Sequence, residues 1–160
     1  MLLYDTLVLS QLTYCNIVWA ATYKTSLNKL YILQKKALRL CIKKTQIVHQ
    51  QNKLSIFQTC NKLSVLDINK YQTITFIHSV IMKQTPSCFW SMFSPVSAIH
   101  SHSTRSEEKN NLFLRQAKTN FRKFSITVRG PLIWNSIPNM VRDITSELLF
   151  KKNLKKYLAN

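Results

Sequence analysis

Residues 25–43 read TSLNKLYILQKKALRLCIK, and this stretch gives the clearest indication of how the chain folds. Thr25 or Ser26 can serve as an N-cap, because a hydroxyl accepts a hydrogen bond from the first helical turn. Apolar residues then recur at three- and four-residue spacing, as Leu27, Leu30, Leu33, Ala37 and Cys41. The pattern predicts an amphipathic helix with this stripe buried.

The same helix is predicted to have a basic face. Lys29, Lys36 and Lys43 are spaced seven residues apart, which places them within about 40° of one another around a helix. Lys35 and Arg39 widen this face, and no acidic residue interrupts residues 25–43. Two interpretations stay open, namely contact with phosphate groups and an ordinary solvated surface.

Helical patterns also surround this stretch. Residues 2–21 are apolar and contain no glycine or proline, so they predict one or two helices, and residues 54–64 predict a short one. A longer helix begins near Asp67, and Thr85-Pro86 ends it. Its inward face is predicted to comprise Ile68, Tyr71, Ile74, Ile77 and Ile81. His78 lies on that side and is expected to be a hydrogen-bonded core histidine.

The second half of the chain is less regular. Residues 94–111 are polar and serine-rich, which indicates a linker between a helical domain at 1–93 and a C-terminal region at 112–160. Residues 125–128 predict a strand, Gly130-Pro131 a turn and residues 132–137 a short helical segment. The fold class is therefore predicted to be mainly α, with a small β-hairpin-like element near residues 112–131.

A final amphipathic helix is predicted at residues 146–158. Its apolar face comprises Phe150, Leu154, Tyr157 and Leu158. Its basic face comprises Lys151, Lys152, Lys155 and Lys156. Lysines near a helix C-terminus also stabilise the helix dipole, which is a structural reason for some of them.

The charge of the chain points to a polyanionic partner. Lysine and arginine total 23 against 6 acidic residues, which gives a net charge of +17. An AT-rich coding sequence is the alternative explanation for the lysines, and an anionic membrane surface would also attract such a chain. No membrane-spanning segment or signal peptide is predicted, so an intracellular location, cytoplasmic or nuclear, is expected.

The sequence lacks the residues that several classes of enzyme require. Gly130 is the single glycine, whereas phosphate-binding loops and dinucleotide fingerprints need several. Two-metal catalysis needs clustered carboxylates, and the adjacent pair Glu107-Glu108 lies in the polar segment. His100 and His102 do not form a familiar zinc frame with Cys88. We expect no cofactor and no metal, and four free, mostly buried cysteines.

Several ordered motifs resemble one family. The Tyr14-Cys15-Asn16-Ile17-Val18-Trp19 segment, Leu27-Asn28-Lys29-Leu30 and Leu33-Gln34-Lys35-Lys36-Ala37 look like the region after the polymerase core of non-LTR, jockey-like reverse transcriptases. His100-Ser101, Ser103-Thr104-Arg105, Thr119-Asn120, Lys123-Phe124-Ser125, Gly130-Pro131 and Trp134-Asn135-Ser136-Ile137-Pro138 resemble the C-terminal signature of that family, in the same order. The lysine-rich segment at 149–158 resembles its usual end. The resemblance covers nearly the whole chain.

The resemblance implies a helical thumb-like domain at residues 1–93 that grips a primer-template duplex. It implies no catalytic residue, because the aspartate motif and primer grip of the family precede the region that this chain resembles. We therefore expect a non-catalytic fragment of an RNA-directed DNA polymerase that contacts an RNA–DNA or DNA duplex independently of sequence. Trp134 is expected to pack in the core rather than read a base. The alternatives are a basic helical module for a protein or anionic-membrane partner, and a remnant without function.

Overall fold

The structure, a computed structural model, describes residues 1–42, 55–99 and 110–159, and this part of the chain is mainly helical, as predicted. A π-helix at Tyr4–Leu9 continues into the first α-helix. The α-helices are α1 (Ser10–Thr13), α2 (Asn16–Trp19), α3 (Lys24–Cys41), α4 (Ile56–Thr59), α5 (Val65–Ile81), α6 (Asn120–Lys123), α7 (Ile126–Asn135), α8 (Asn139–Arg142) and α9 (Glu147–Ala159). Short 3-10 helices lie at Ser87–Phe89 and Val96–Ala98.

The chain divides into two compact units. Unit 1 comprises Met1–Asn69 with Lys155–Asn160, and unit 2 comprises Lys70–Leu154, so the division falls inside helices α5 and α9. The predicted linker at residues 94–111 gives a different division, because described residues on both sides of it belong to unit 2. Residues 100–109 of that segment lie outside the described part of the chain.

Helix α3 confirms the first prediction but turns a different face inward. Its buried residues are Leu27, Gln34 and Leu38, whereas Leu33, which the predicted stripe included, is 58% exposed. Cys41 is also exposed. The buried face is thus rotated by about 60° from the predicted stripe. The helix begins at Lys24 without a side-chain cap, so the predicted Thr25 or Ser26 cap was wrong.

The rotation follows from a buried hydrogen-bond network around Gln34 in unit 1. Its Nε2 donates to Tyr4 Oη at 2.8 Å and to the Leu63 carbonyl oxygen at 3.0 Å. Its Oε1 accepts from the Val65 backbone N–H at 2.8 Å, so a side chain of α3 caps the first turn of α5. Because its polar atoms find partners, the amide can occupy a core position that an apolar pattern does not reveal.

An apolar cluster surrounds this network. Tyr4, Leu38 and Phe57 form its buried centre. The Tyr31 and Phe57 rings stack with their centroids 5.3 Å apart. Burial raises the pKa of the Tyr4 hydroxyl, against the opposing effect of the Gln34 hydrogen bond. Unit 1 therefore has a core of its own, built from the π-helix, α3 and α4.

Helix α5 confirms most of its predicted inward face. Ile68, Ile74 and Ile77 are buried, Tyr71 is partly buried and Ile81 is exposed. The helix begins at Val65 rather than Asp67, because the Ser64 hydroxyl accepts from the Asp67 N–H and donates to its carboxylate. His78 is fully buried, with Nε2 2.8 Å from the Ile144 carbonyl oxygen and its ring stacked on Phe150, which confirms the predicted core histidine.

The predicted strand and turn near residues 112–131 are wrong. Residues Ile126–Asn135 form helix α7, with Gly130 and Pro131 inside it. β-branched residues at 126–128 favour a strand, but propensity is a weak preference that packing overrides. In the helix, Val128, Pro131 and Trp134 share one buried face. The β-structure of the described residues is one antiparallel bridge between Pro95 and Leu112.

Candidate nucleic-acid interface

Helix α3 presents cations on the side opposite its buried face. Lys29, Lys36 and Arg39 are exposed, and they lie within about 80° of one another around the helix axis. Lys35 is partly buried, with Nζ 4.6 Å from the centroid of the Tyr31 ring. Lys43 lies outside the described residues. The predicted basic ridge therefore exists along the described length of α3.

This face also exposes aliphatic side chains. The sequence pattern had placed Leu33 in the buried stripe and had assigned no face to Leu40 or Ile32. Leu33 and Leu40, the latter 88% exposed, lie within about 60° of Lys29 and Lys36. Ile32 is exposed beside Lys36. Leu33 also lines an apolar groove of about 260 Å³ against the N-terminal helices, in which Leu7 and Leu12 take part. The α3 face is therefore both basic and apolar.

Helix α9 separates its faces much as predicted. Phe150 and Leu154 are buried, whereas Lys152, Lys155 and Lys156 are exposed. Tyr157 is exposed as well, so it does not belong to the buried face. Lys151 differs from the other lysines, because its Nζ donates to the Glu147 carboxylate one turn earlier. That hydrogen bond is the largest cause of the lowered pKa of Glu147.

Among the described residues, the exposed cations of the α3 face have no carboxylate partner. Ion pairs elsewhere join Lys62 to Asp5 at 2.6 Å and Lys151 to Glu147. Neither pair uses a lysine of the α3 face. Exposed ammonium groups without a carboxylate partner keep their full charge available for a phosphate.

The N-terminal family-motif residues have structural roles. Trp19 Nε1 donates to the Tyr14 carbonyl oxygen at 2.7 Å, across the residue Cys15, whose φ is 47°. The Tyr14 ring itself is exposed. Asn16 is buried, and its Nδ2 donates to the Leu12 carbonyl oxygen at 2.8 Å. This motif shapes the connection between α1 and α2.

The C-terminal motif residues build the interior of unit 2. A Cβ atom on Gly130 would lie 3.1 Å from Ile77 Cδ1 and 3.2 Å from Phe93 Cε1, so the missing side chain allows close packing. Trp134 is buried beside Phe150, with ring centroids 6.2 Å apart, which confirms its predicted packing role. Asn135 accepts from the Leu112 N–H and donates to the Leu112 carbonyl oxygen, both at 2.9 Å.

The motif residues Asn120, Thr104 and Arg105 are exposed or lie outside the described part of the chain. Asn120 is exposed at the start of α6, and its Oδ1 accepts from Lys123 Nζ at 3.2 Å. Thr104 and Arg105 lie outside the described residues, as do His100 and His102.

The cysteines are free, as predicted, but they are not mostly buried. Cys15, Cys41 and Cys88 are exposed and Cys60 is half-buried. Burial raises the pKa of the Cys60 thiol, which makes it less reactive. No group of three potential metal ligands forms among the residues that the structure describes.

Sequence reasoning missed one cluster of unit 2. Arg142, which was not among the predicted cations, is 8% exposed and hydrogen-bonded by the amide side chains of Asn111 and Asn139. Burial lowers the pKa of its guanidinium group. A basic residue in a short, polar segment gives no pattern from which burial could be inferred.

Across the described parts of the chain, no helix has the length and apolar character needed to cross a bilayer. Comparison with family models, with curated proteins and with solved structures found no match for this chain.

Proposed function

We propose that this chain is a non-catalytic part of a reverse transcriptase of the non-LTR, jockey-like type, and that it binds the backbone of an RNA–DNA or DNA duplex independently of sequence. One observation carries the binding proposal. Helix α3 exposes Lys29, Lys36 and Arg39, and α9 exposes Lys152, Lys155 and Lys156, without carboxylate partners among the described residues. The ordered motifs support the family.

The chemistry of the two faces suits phosphate groups. Ammonium groups on flexible stems reach backbone oxygens without reading base edges, so the contacts do not depend on sequence. Each phosphate neutralised releases condensed counterions, and the affinity then falls steeply as salt is added. The net charge of +17 adds a long-range attraction for any duplex.

Fluorescence anisotropy with labelled duplexes tests this proposal. Wild-type protein is expected to bind several unrelated sequences equally, with affinity falling steeply between about 50 and 200 mM salt. Replacing Lys29, Lys36 and Arg39 together by glutamine should reduce the slope of log affinity against log salt by about 0.9 for each phosphate that the variant leaves without a cation. The matched control replaces Lys29 and Lys36 by arginine, which keeps the charge.

Two results would contradict the proposal. One is an affinity that is absent at low salt or insensitive to salt. The other is a triple glutamine variant that keeps the wild-type slope. Circular dichroism of each variant separates a weaker interaction from a failure to fold, and the three replaced side chains are exposed and belong to neither core.

A second candidate function rests on the aliphatic residues of the α3 face. Leu33 and Leu40 are exposed between lysines, and a duplex backbone does not require apolar contacts. Such a mixed face is typical of helices that bind a protein groove or an anionic membrane surface. Binding to phosphatidylserine vesicles that Leu40→Gln weakens, without binding to duplexes, would favour this candidate.

Origin and catalysis have their own tests. We propose that the chain itself does not polymerise DNA, since its adjacent acidic residues are limited to Glu107-Glu108. Primer extension on an RNA template should yield no product above background. A coding sequence for a polymerase palm immediately upstream in the genome, in frame or shifted, would support the proposed origin.

A further inference from the structure

Unit 2 contains a cavity of about 410 Å³ that none of the basic helix faces uses. Its lining includes Val80, Lys83, Trp90, Phe93, Trp134 and Arg142. A volume of this size is typical of sites for small organic ligands. The walls combine aromatic rings with two basic groups and one carboxylate, Asp143, and this combination limits which ligands the cavity can hold.

Arg142 is a buried cation in the lining of the cavity. Its Nη1 donates to Asn111 Oδ1 at 3.0 Å, and its Nη2 donates to Asn139 Oδ1. Nε is buried and has no hydrogen-bond partner among the described residues. The hydrogen-bond partners are neutral amides, and the carboxylate of the neighbouring Asp143, which also lines the cavity, acts on the guanidinium group through its charge. The charged groups of the lining are two cations, Lys83 and Arg142, and one carboxylate, Asp143, and their positive sum favours an anionic ligand.

Trp90 supplies an accessible aromatic surface at the same cavity. Its indole N–H donates to the Thr85 carbonyl oxygen at 2.8 Å, which fixes the ring, and the side chain is 43% exposed. Lys83 Nζ lies 5.5 Å from the centroid of this ring. A fixed, exposed indole beside an ammonium group is suited to stacking a flat base that carries a negative group.

We propose that this cavity binds a nucleotide, with the base stacked on Trp90 and the phosphate held by Arg142 and Lys83. The nucleotide is either a free nucleoside monophosphate or an unpaired nucleotide of a single strand, and only the second source rests on the proposed function. The phosphate balances the net positive charge that Lys83, Arg142 and Asp143 together give the cavity wall. Trp134 and Phe93 are buried and form the apolar floor.

Titration calorimetry of the full chain with adenosine monophosphate tests the proposal. Saturable binding is expected, with adenosine and inorganic phosphate each binding more weakly. Trp90→Ala should weaken binding roughly 5- to 150-fold, the range that corresponds to the loss of one stacked base. Lys83→Gln should also weaken it. Both residues are exposed, so folding is not at risk as it is for the buried Arg142.

Matched controls lie in the same unit, away from the cavity. Phe121 is an aromatic residue that is 92% exposed, and Lys118 is an exposed lysine. Phe121→Ala and Lys118→Gln should leave nucleotide binding unchanged. An oligodeoxythymidine strand serves as the second probe, and binding of this strand that Trp90→Ala weakens identifies a single strand as the source.

Three outcomes would overturn the proposal. They are no saturable binding of either probe, equal binding of phosphate and adenosine monophosphate, and nucleotide binding that Trp90→Ala leaves intact. Failure here is distinguishable from failure of the proposed function. Trp90→Ala should keep the salt-dependent duplex affinity, whereas the glutamine variant of α3 should bind duplexes more weakly, with a smaller salt slope, and keep nucleotide binding.

Discussion

Replacing Gln34 by leucine tests the network that orients α3. The amide of Gln34 joins three groups of unit 1, namely the Tyr4 hydroxyl, the Leu63 carbonyl and the Val65 N–H. Leucine has a similar volume but can neither donate nor accept a hydrogen bond. The substitution therefore removes the cap of α5 while adding apolar surface to the core.

The magnitude follows from the groups left without partners. The Val65 N–H and the Leu63 carbonyl belong to buried residues, and each unsatisfied group costs about 1–3 kcal/mol. Burying a leucine side chain returns about 1.5–3 kcal/mol. We expect a net loss of about 2 kcal/mol in the free energy of unfolding. Tyr4→Phe, which removes only the hydroxyl, should cost about 1 kcal/mol.

Urea unfolding followed by circular dichroism measures the loss, and amide hydrogen exchange at Val65 locates it. Gln11→Leu is the matched control, because Gln11 is exposed and lines the apolar groove. That control should stay within about 0.5 kcal/mol of wild type. A Gln34→Leu variant as stable as the Gln11→Leu variant, with unchanged exchange at Val65, would refute the proposed cap.

Three further predictions concern packing and charge. Leu38→Ala should destabilise the protein by about 2–5 kcal/mol and Leu33→Ala by less than about 1 kcal/mol, as measured by urea unfolding. If Leu33→Ala were the more destabilising of the two, the buried face would be the one predicted from sequence. Gly130→Val should cost about 1–3 kcal/mol in thermal or urea unfolding, because its Cβ position lies 3.1 Å from Ile77 Cδ1, whereas Leu132→Val, at an exposed position of the same helix, should cost less than about 1 kcal/mol. Lys151→Gln should raise the pKa of Glu147 toward its ordinary value of 4.5, as followed by carboxyl NMR, since the Lys151 hydrogen bond lowers it. Because the folded pKa of Glu147 is lowered, the Lys151–Glu147 pair stabilises the protein above pH 4.5, and this contribution is lost as the pH falls through the folded pKa. If Glu147 titrated identically in the wild type and in Lys151→Gln, the pair would be contradicted.

The helices could be predicted from sequence more reliably than the faces they bury. Periodicity placed α3 and α9 to within a few residues, because apolar spacing records the helix itself. It did not place the buried face of α3, because that face includes Gln34, whose partners lie 29 to 31 residues away in sequence. A polar residue becomes a core residue only when distant groups satisfy it.

The same limit applies to α7 and to the cavity of unit 2. Gly130-Pro131 is a common turn signal. Here it is helical, and Ile77 and Phe93 pack against the position that a side chain on residue 130 would occupy. Trp90 and Arg142 line one cavity although 52 residues separate them, so no local pattern connects them. The exposed cations of α3 and α9 could be predicted, because surface charge needs no distant partner.

The residues of the C-terminal motif have structural roles, whereas the cations of α3 are exposed to solvent. Gly130, Trp134 and Asn135 are held inside unit 2 by packing or by hydrogen bonds to Leu112, so these residues stabilise the unit. Variants at these positions would reduce binding by unfolding the unit. Lys36 and Arg39 are exposed and carry none of the core, so a change in duplex affinity on their replacement reports a weaker interaction with the duplex and not a loss of folding. The proposed duplex binding must therefore be tested with variants of the exposed cations and not with variants of the motif residues.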